Sequence, residues 1–247
     1  MNVVLLGAPG SGKGTQAQTI KDAFGLRHVS TGDMLRAAVA SGTELGLRAK
    51  AFMDRGELVP DDVVVGIVSE RLRSEDGGPG WLLDGFPRTV AQAEALEKAF
   101  DGRAGRAVDR VLYLRVSPEI VVERLSGRRV CPNPSCGAAY HVRFMPPKRE
   151  GVCDRCGTAL VLRDDDRPDT VRQRLAAYER QTAALVERYR SLGLLVEIDA
   201  SGSPKEVGDK VLAALRPEEG KGGVRAACAG GKAGDGQSPG RGGKRGG

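Results

Sequence analysis

A glycine-rich loop near the N-terminus constrains the fold more than any other feature of this sequence. The apolar run Val3 to Leu6 leads directly into Gly7-Ala8-Pro9-Gly10-Ser11-Gly12-Lys13, after which apolar residues recur at helical spacing until Gly25. This is the pattern G-x-x-x-x-G-K between a strand and a helix. In such a loop the backbone N–H groups and the helix N-terminus face a polyphosphate, and the lysine contributes a mobile positive charge that binds it. The alternative is a glycine-rich turn without a ligand. We favour nucleotide binding, through Gly10, Ser11, Gly12, Lys13, Gly14 and Thr15.

The residue after Lys13 departs from the usual pattern of such loops. A Ser or Thr that binds magnesium commonly stands at that position, whereas this chain has Gly14, followed by Thr15. We therefore expect Mg²⁺ to be held more by ATP oxygens and water than by the loop.

Short apolar runs alternate with helical patterns along most of the chain. Asp61 is expected to cap one of the intervening helices, and Ser117, which precedes Pro118, is expected to cap another. Strands separated by helices predict right-handed crossovers, and hence an α/β fold with a doubly wound parallel sheet of five strands and helices on both faces. The predicted strands are Val3 to Leu6, Arg27 to Ser30, Trp81 to Asp84, Arg110 to Val116 and Leu194 to Asp199.

Two segments interrupt this alternation. Residues 127–163 contain four of the five cysteines and two short β-like stretches, Ala139 to Phe144 and Ala159 to Leu162, so we interpret them as an inserted module. Residues 217–247 contain 12 of the 35 glycines, with six basic and three acidic residues, and therefore carry +3 of the net charge of +6. This composition predicts a disordered, basic, glycine-rich tail. No apolar run approaches the roughly 18 residues of a membrane span, and we expect a cytoplasmic protein.

The four clustered cysteines have the spacing of a metal site. Cys131 and Cys136 form C-x4-C, and 16 residues later Cys153 and Cys156 form C-x2-C. Two thiolate pairs on facing hairpin turns can complete a closed tetrahedral zinc site, which is a structural one. Disulfides or four free thiols are the alternatives, and a reducing compartment disfavours disulfides. We predict a structural Zn²⁺ that stabilises a module with no core of its own.

Three motifs in this order resemble those of adenylate kinases. They are Gly7 to Thr15, Ser30-Thr31-Gly32-Asp33-Met34-Leu35-Arg36 and Asp84-Gly85-Phe86-Pro87-Arg88, and the resemblance extends from about Met1 to Leu215. The cysteine module is similar to the long lid of zinc-containing bacterial members, although their first pair is usually C-x2-C. The resemblance implies reversible phosphoryl transfer from ATP to AMP, giving two ADP, with Mg²⁺, by a monomer. It implies a core (1–29), an AMP-binding segment (30–59), core (60–126), a zinc-ribbon-like lid (127–164), core (165–216) and the tail (217–247).

The resemblance also implies which residues act. Two nucleotides bring roughly six negative charges into one site, so several fixed guanidiniums are needed. By motif position, Arg36 and Arg88 contact the AMP phosphate, Arg128 and Arg163 are the lid arginines, and Arg174 lies at the transferring group. The implied catalytic set is Lys13, Arg88, Arg128, Arg163 and Arg174; ATP is also contacted by Arg124, which stacks on adenine, and by Arg128, Ala139, Tyr140 and Gly202. The AMP set is Thr31, Arg36, Glu57, Leu58, Val59, Gly85, Phe86, Pro87, Arg88, Gln92, Arg163 and Arg174.

Several polar residues have two interpretations. The amide of Gln92 suits the adenine edge, as the resemblance implies, but Thr89 to Gln92 is also a capping box. Asp84 ends a strand, where a carboxylate can hold magnesium-bound water, whereas Asp33 is explained as a cap of a helix beginning at Met34. Residues Asp164 to Asp166 are interpreted as a hinge and latch of the lid, or as an ordinary acidic turn.

Two other functions are considered. Another nucleoside monophosphate kinase, acting on UMP, CMP or GMP, is disfavoured by Gln92 and by the long lid. A zinc-ribbon nucleic-acid-binding protein with a basic tail is disfavoured because only 4% of residues are aromatic, which leaves few platforms for base stacking. We expect ATP and AMP or ADP as ligands, with no membrane and no specific nucleic-acid partner, although the tail retains a weak nucleic-acid contact as an option.

Overall fold

The computed structural model describes residues 1–73, 80–100 and 107–216, and the predicted tail lies outside these ranges. Seven strands in these residues are numbered in chain order, and five of them form one sheet: β1 (Val3–Gly7), β2 (Arg27–Ser30), β3 (Trp81–Asp84), β4 (Arg110–Arg115) and β7 (Leu195–Asp199). Their order is β2-β3-β1-β4-β7, and every adjacent pair is parallel. The predicted five-stranded parallel sheet is confirmed, and each strand end lies within one residue of the prediction.

Helices cover both faces of this sheet. Ile20 and Val211 share a buried cluster with Leu5 on one face, while Leu185 lies in the cluster of Leu6 on the other. Because β1 is buried on both faces, its sequence is continuously apolar, as is usual for a central parallel strand. The helices are α1 (Lys13–Phe24), α2 (Thr31–Ala40), α3 (Glu44–Asp54), α4 (Asp61–Arg73), α5 (Val90–Ala99), α6 (Pro118–Ser126), α7 (Pro168–Ser191) and α8 (Pro204–Leu215).

Two predicted helix caps differ from the structure. The N-cap of α2 is Ser30, whose hydroxyl accepts a hydrogen bond from Asp33 N, so Asp33 lies in the first turn and is not the cap. Asp61 is the first residue of α4 and not the residue before it. Its carboxylate instead accepts hydrogen bonds from the beginning of α5. Both carboxylates are thereby left for contacts with other elements.

The inserted module has a smaller regular part than predicted. Its sheet is an antiparallel pair, β5 (Arg128–Val130) and β6 (Ala139–His141). The prediction of a strand from Ala139 to Phe144 is therefore too long, and β5 was not predicted. The stretch Ala159 to Leu162 forms only isolated bridges, of Val161 with β5 and of Ala159 with Val152. Since only three residues form its buried cluster (Cys131, Ala138 and Cys153), the module has little core of its own.

Among the residues that the structure describes, none of the helices combines the length and the apolar character needed to cross a lipid bilayer.

Candidate functional site

A cleft of about 800 Å³ opens at the carboxyl ends of the parallel strands, where ligands bind in folds of this class. Its walls come from the loop after β1, from α2 and α3, from the loop after β3, and from the inserted module. It brings together all but one of the residues predicted to bind nucleotide: Gly10, Ser11, Gly12, Lys13, Gly14, Thr15, Thr31, Arg36, Glu57, Leu58, Val59, Gly85, Pro87, Arg88, Gln92, Arg124, Arg128, Ala139, Tyr140, Arg163, Arg174 and Gly202.

The exception is Phe86, which the resemblance assigns to AMP. Its side chain is 1% exposed and belongs to the main hydrophobic core. Gly85 and Pro87 on either side line the cleft. The aromatic ring therefore anchors this loop to the core, and a contact of Phe86 with AMP stays a prediction that only its backbone could fulfil.

The loop after β1 is shaped for an anion. Gly10 and Gly12 have φ angles of 80° and 98°, which favour glycine, and a side chain at Gly10 would also meet Leu125 at 2.8 Å. Helix α1 begins at Lys13, and within the described part of the chain no side chain caps it. The N-terminal N–H groups of this helix thus remain available for a ligand in the cleft.

Lys13 is held over this loop by its own backbone. Its Nζ donates to Gly7 O at 2.7 Å and to Ala8 O at 2.8 Å. Burial lowers the pKa of Lys13 to about 8; Asp84 opposes this shift, and the nearby arginines reinforce it. The buried ammonium group of Lys13 therefore lies where a bound anion would offset the unfavourable free energy of burying its charge.

Burial and the charges of neighbouring arginines also lower the pKa values of two arginines in the cleft. Burial, followed by the charge of Arg174, lowers the pKa of Arg88 to about 10, and burial with Arg36 lowers that of Arg163 to about 10. Arg88 Nε donates to Gly85 O at 2.8 Å, which orients its guanidinium. Such a cluster favours the binding of polyanions.

Two neighbouring carboxylates orient the arginines next to the lid. Asp166, 1% exposed, accepts a bidentate pair of hydrogen bonds from Arg128, one of them 2.7 Å long, and lies 3.3 Å from Arg174 Nη1. Arg174 also contacts Asp165 Oδ2 at 2.8 Å. Burial acts to raise the pKa of Asp165, but Arg174 and the arginines around it outweigh burial and lower it.

Sequence reasoning missed this function of the acidic turn. Residues Asp164–Asp166 form a single turn of 3₁₀ helix, and of the three only Asp164 is exposed as an ordinary surface residue, paired with Arg167. The hinge and latch interpretation stays a prediction. No local pattern indicates that Asp165 pairs with Arg174, or that Asp166 holds Arg128, which lies 38 positions earlier in the chain.

Helix α2 and the end of the inserted module meet at Asp33. Its Oδ1 is 2.5 Å from Arg36 Nη2 and 4.0 Å from Arg163 Nη2. Both guanidiniums thereby face the same part of the cleft. Asp33 contributes here as a partner of arginines, not as the cap that the sequence suggested.

Both polar atoms of the Gln92 side chain form hydrogen bonds within the protein. Its Oε1 accepts from Arg88 N at 2.7 Å, and its Nε2 donates to Asp61 Oδ1 at 2.7 Å. Thr89 Oγ1 accepts from Gln92 N at 3.1 Å, so the helix-capping interpretation of this segment is confirmed in its first half. One N–H and one lone pair of the amide are left for a base, and recognition of adenine by Gln92 stays a prediction.

Arg124 joins the glycine loop to the segment after β7. Its guanidinium donates to Ser11 O in the glycine loop at 3.4 Å and to Ala200 O, Ser201 O and Gly202 O after β7, the shortest at 2.9 Å. These contacts use the edge of the planar group. Its face remains available for stacking, as the resemblance implies.

Two residues of α7, Tyr178 and Thr182, line the cleft without having been predicted. Thr182 Oγ1 donates to Arg88 O at 3.3 Å and so supports the loop after β3. They lie on a long helix outside every motif, and the helical period alone gives no sign of their position.

The four cysteines of the inserted module converge as predicted. Their sulfur atoms all lie within 4.8 Å of one another, with Cys131 Sγ to Cys156 Sγ at 3.4 Å and Cys136 Sγ to Cys153 Sγ at 3.6 Å. Tetrahedral zinc–sulfur bonds of about 2.3 Å require sulfur atoms about 3.8 Å apart, so the set fits such an ion. Burial raises the pKa of the Cys131 thiol, whereas hydrogen bonds from Thr158 lower that of Cys156.

Comparisons with known proteins agree with this site. The family model described as adenylate kinase matches residues 5–194. The adenylate kinase of Geobacter sp. (strain M21) is 51% identical over 216 residues, which are 87% of this chain and all of that protein. That of Caldicellulosiruptor saccharolyticus is 50% identical over 218 residues, 88% of this chain and all of that protein. That of Bacillus licheniformis is 53% identical over 207 residues, 84% of this chain and 94% of that protein. The range matched by the family model includes the whole glycine loop, both later motifs and the four cysteines, and the chain belongs to the adenylate kinase family.

Proposed function

We infer that this protein catalyses the reversible reaction ATP + AMP = 2 ADP. The observation that carries this conclusion is a single cleft whose lining joins the glycine loop and Lys13 with arginines of the later motifs, the lid and α7, among them Arg36, Arg88, Arg128, Arg163 and Arg174. Two nucleotides bring enough negative charge to offset the repulsion within this cluster. Membership in the adenylate kinase family supports AMP as the acceptor of the phosphoryl group.

ATP occupies the side of the cleft formed by the glycine loop and the lid. Its phosphates lie against Gly10 to Thr15, and its base lies against Arg124 and Gly202, with Ala139 and Tyr140 of the lid above. AMP occupies the side formed by α2, α3 and the loop after β3, including Thr31, Glu57 to Val59 and Gln92. For the division into core, AMP-binding segment and lid we propose the boundaries predicted from the sequence.

The reaction requires positioning and charge stabilisation more than acid–base chemistry. The AMP phosphate is already a nucleophile, so no covalent enzyme intermediate and no strong general base are needed. Lys13, Arg88, Arg128, Arg163 and Arg174 stabilise charge on the oxygens of the transferring group. The carboxylates of Asp165 and Asp166 hold two of these guanidiniums in place before substrate binds.

Magnesium would bind together with ATP. Asp84 ends β3 next to the glycine loop, where a side chain on Gly14 would lie 3.9 Å from its carboxylate. A hard cation prefers such oxygen ligands and water. When bound, the ion neutralises charge on the phosphate oxygens, and Asp84 holds its water shell.

The lid closes over ATP and carries a structural zinc at Cys131, Cys136, Cys153 and Cys156. Closure excludes water, which would otherwise accept the phosphoryl group. The zinc replaces a hydrophobic core that this module lacks. We further propose a cytoplasmic monomer.

Two measurements on the purified full chain test this function. A coupled assay offers AMP, GMP, CMP and UMP in turn with ATP and Mg²⁺, and we expect turnover with AMP to exceed the others by at least about a hundredfold, because an amide at Gln92 pairs with adenine. Metal analysis is expected to find one zinc per chain. A preference for a pyrimidine monophosphate would refute the assignment of AMP, and a chain without bound metal would refute the zinc site.

A further inference from the structure

Tyr140 lines the cleft while its hydroxyl group lies at the cysteine cluster. The residue belongs to β6 and packs against Cys131, Ala138 and Cys153. Its Oη lies 3.6 Å from Cys153 Sγ and accepts a hydrogen bond from Asp154 N at 2.8 Å. One side chain thus contacts both the nucleotide cleft and the cluster.

The direction of the hydrogen bond to sulfur follows from these contacts. The N–H of Asp154 occupies a lone pair of the phenol oxygen, so the phenol proton is free to point at Cys153. A cysteine that binds a metal is a thiolate and can only accept. Tyr140 therefore donates O–H···S to Cys153 once the metal is bound, and hydrogen bonds of this kind orient a metal ligand.

The strand that carries Tyr140 also pairs with β5, the strand that begins with the predicted catalytic residue Arg128. In the register of the lid sheet, Tyr140 pairs with Arg129, and the next pair is His141 with Arg128. Arg128 lines the cleft. A tyrosine fixed at the cluster therefore fixes the position of β6, and through β6 that of β5 and Arg128.

We propose that Tyr140 is a positioning residue through which the metal cluster holds the ATP-facing strand of the lid in place. The metal then raises the affinity for ATP without contacting the nucleotide. This inference rests on the proposed function only in assigning ATP to the lid side of the cleft.

Two matched substitutions separate this effect from a general loss of lid stability. Tyr140→Phe keeps the ring and removes the hydroxyl. Thr158→Val also removes a hydroxyl next to a cluster sulfur, since Thr158 Oγ1 is 3.3 Å from Cys156 Sγ. Of the two, only Tyr140 is among the residues that line the cleft. Both variants are compared as full chains, with zinc and after replacement of zinc by Co²⁺.

The measured quantities are the sulfur-to-cobalt absorption band, the rate of metal transfer to a chelator, and KM for ATP and for AMP. Both variants are expected to shift the band and to release metal about tenfold faster. Tyr140→Phe alone is expected to raise KM for ATP by about threefold to tenfold, with KM for AMP unchanged.

The outcomes that overturn the proposal are distinct from those that overturn the function. An unchanged band or an unchanged KM for ATP in Tyr140→Phe contradicts it, as does an equal rise of that KM in both variants or a wild-type chain that takes up neither zinc nor cobalt. A wild-type chain that binds metal but does not convert ATP and AMP contradicts the proposed function instead. In that case the band and the calorimetric affinity for ATP still decide the role of Tyr140.

Discussion

The cationic cleft and the four-cysteine module both bring groups of like charge together, and they differ in what holds those groups in place. In the cleft, Arg128 and Arg174 are fixed by Asp166, which is 1% exposed in the turn just before the long helix α7. In the module, the buried cluster consists of two of the cysteines and Ala138. The fold organises the cleft in advance, whereas the module, on the proposed assignment of zinc, depends on an ion. Changes in the cleft should therefore reduce turnover, and changes at the cysteines should reduce stability.

The largest expected effect on turnover is that of Lys13→Met. Removal of the only lysine that contacts the glycine loop among the described residues should lower kcat by at least about a thousandfold, since its charge acts in the transition state. The melting temperature should stay the same or rise, because burial of this ammonium is unfavourable in the free protein. Steady-state kinetics and thermal unfolding of the two chains measure both effects. Turnover near that of the wild type would contradict the assigned role.

A smaller effect is expected from Asp166→Asn. The amide cannot accept two hydrogen bonds from Arg128 as the carboxylate does, so kcat should fall by about tenfold to a hundredfold through misplacement of the guanidiniums. The free energy of unfolding should fall by about 2 kcal/mol.

Asp164→Asn is the matched control for this change. Its carboxylate lies in the same turn but pairs with Arg167 at the surface, so both quantities should stay close to those of the wild type. Equal effects of the two substitutions would show that the turn, and not the buried ion pairs, matters.

The next effect is a dependence on pH. With a pKa of about 8 for Lys13 in the free protein, kcat/KM for ATP should fall about tenfold per pH unit above pH 8, while bound phosphates keep kcat high to a more alkaline pH. Lys13→Arg should lose this alkaline decline even where its activity is low. A profile of the wild type that is flat to about pH 10 would contradict the assignment.

The lowered pKa of Lys13 also determines the direction in which the free energy of unfolding changes with pH. An unfolded lysine titrates at about 10.5, so between pH 8 and that value the unfolded chain binds more protons than the folded one. The contribution of Lys13 therefore makes the folded state more stable as pH rises through this window. Denaturant unfolding of the wild type and of Lys13→Met across the window measures the difference.

The smallest effect on turnover is expected from Cys153→Ser. The chain should lose its metal and melt several degrees lower, because ligand binding contributes directly to the folding of the module. At about 20 °C kcat should change only a few-fold, since the sulfur atoms are not among the groups that contact phosphate. Cys228→Ser, outside the described residues, serves as the control and should keep the metal. Unchanged metal content in Cys153→Ser would discredit the site.

The sequence predicted the sheet and most of the cleft because these depend on local patterns. An apolar run followed by a glycine loop defines β1 and the start of α1 within one residue. The two later motifs begin at the ends of β2 and β3, which are neighbours in the parallel sheet, so Arg36 and Arg88 come to the same edge of the sheet. The convergence of four cysteines followed from their spacing alone.

What the sequence could not predict depends on distant parts of the chain. The position of Phe86 in the core is set by helices that pack over it, and a motif gives no sign of which way a side chain turns. Asp61 lies 31 positions before Gln92, yet its carboxylate accepts a hydrogen bond from the side-chain N–H of Gln92. The strand β5 has only three residues, two of them arginines, so neither length nor alternation marks it.

Arg124 has one more consequence, which concerns length. By binding Ser11 O and the carbonyl groups of residues 200–202 at once, it fixes the spacing between the seat of the phosphates and the seat of the base. Arg124 and these carbonyl groups all lie outside residues 127–164, the predicted lid. On the proposed assignment of ATP, the core therefore acts as a gauge of the length from base to phosphate, whatever the position of the lid.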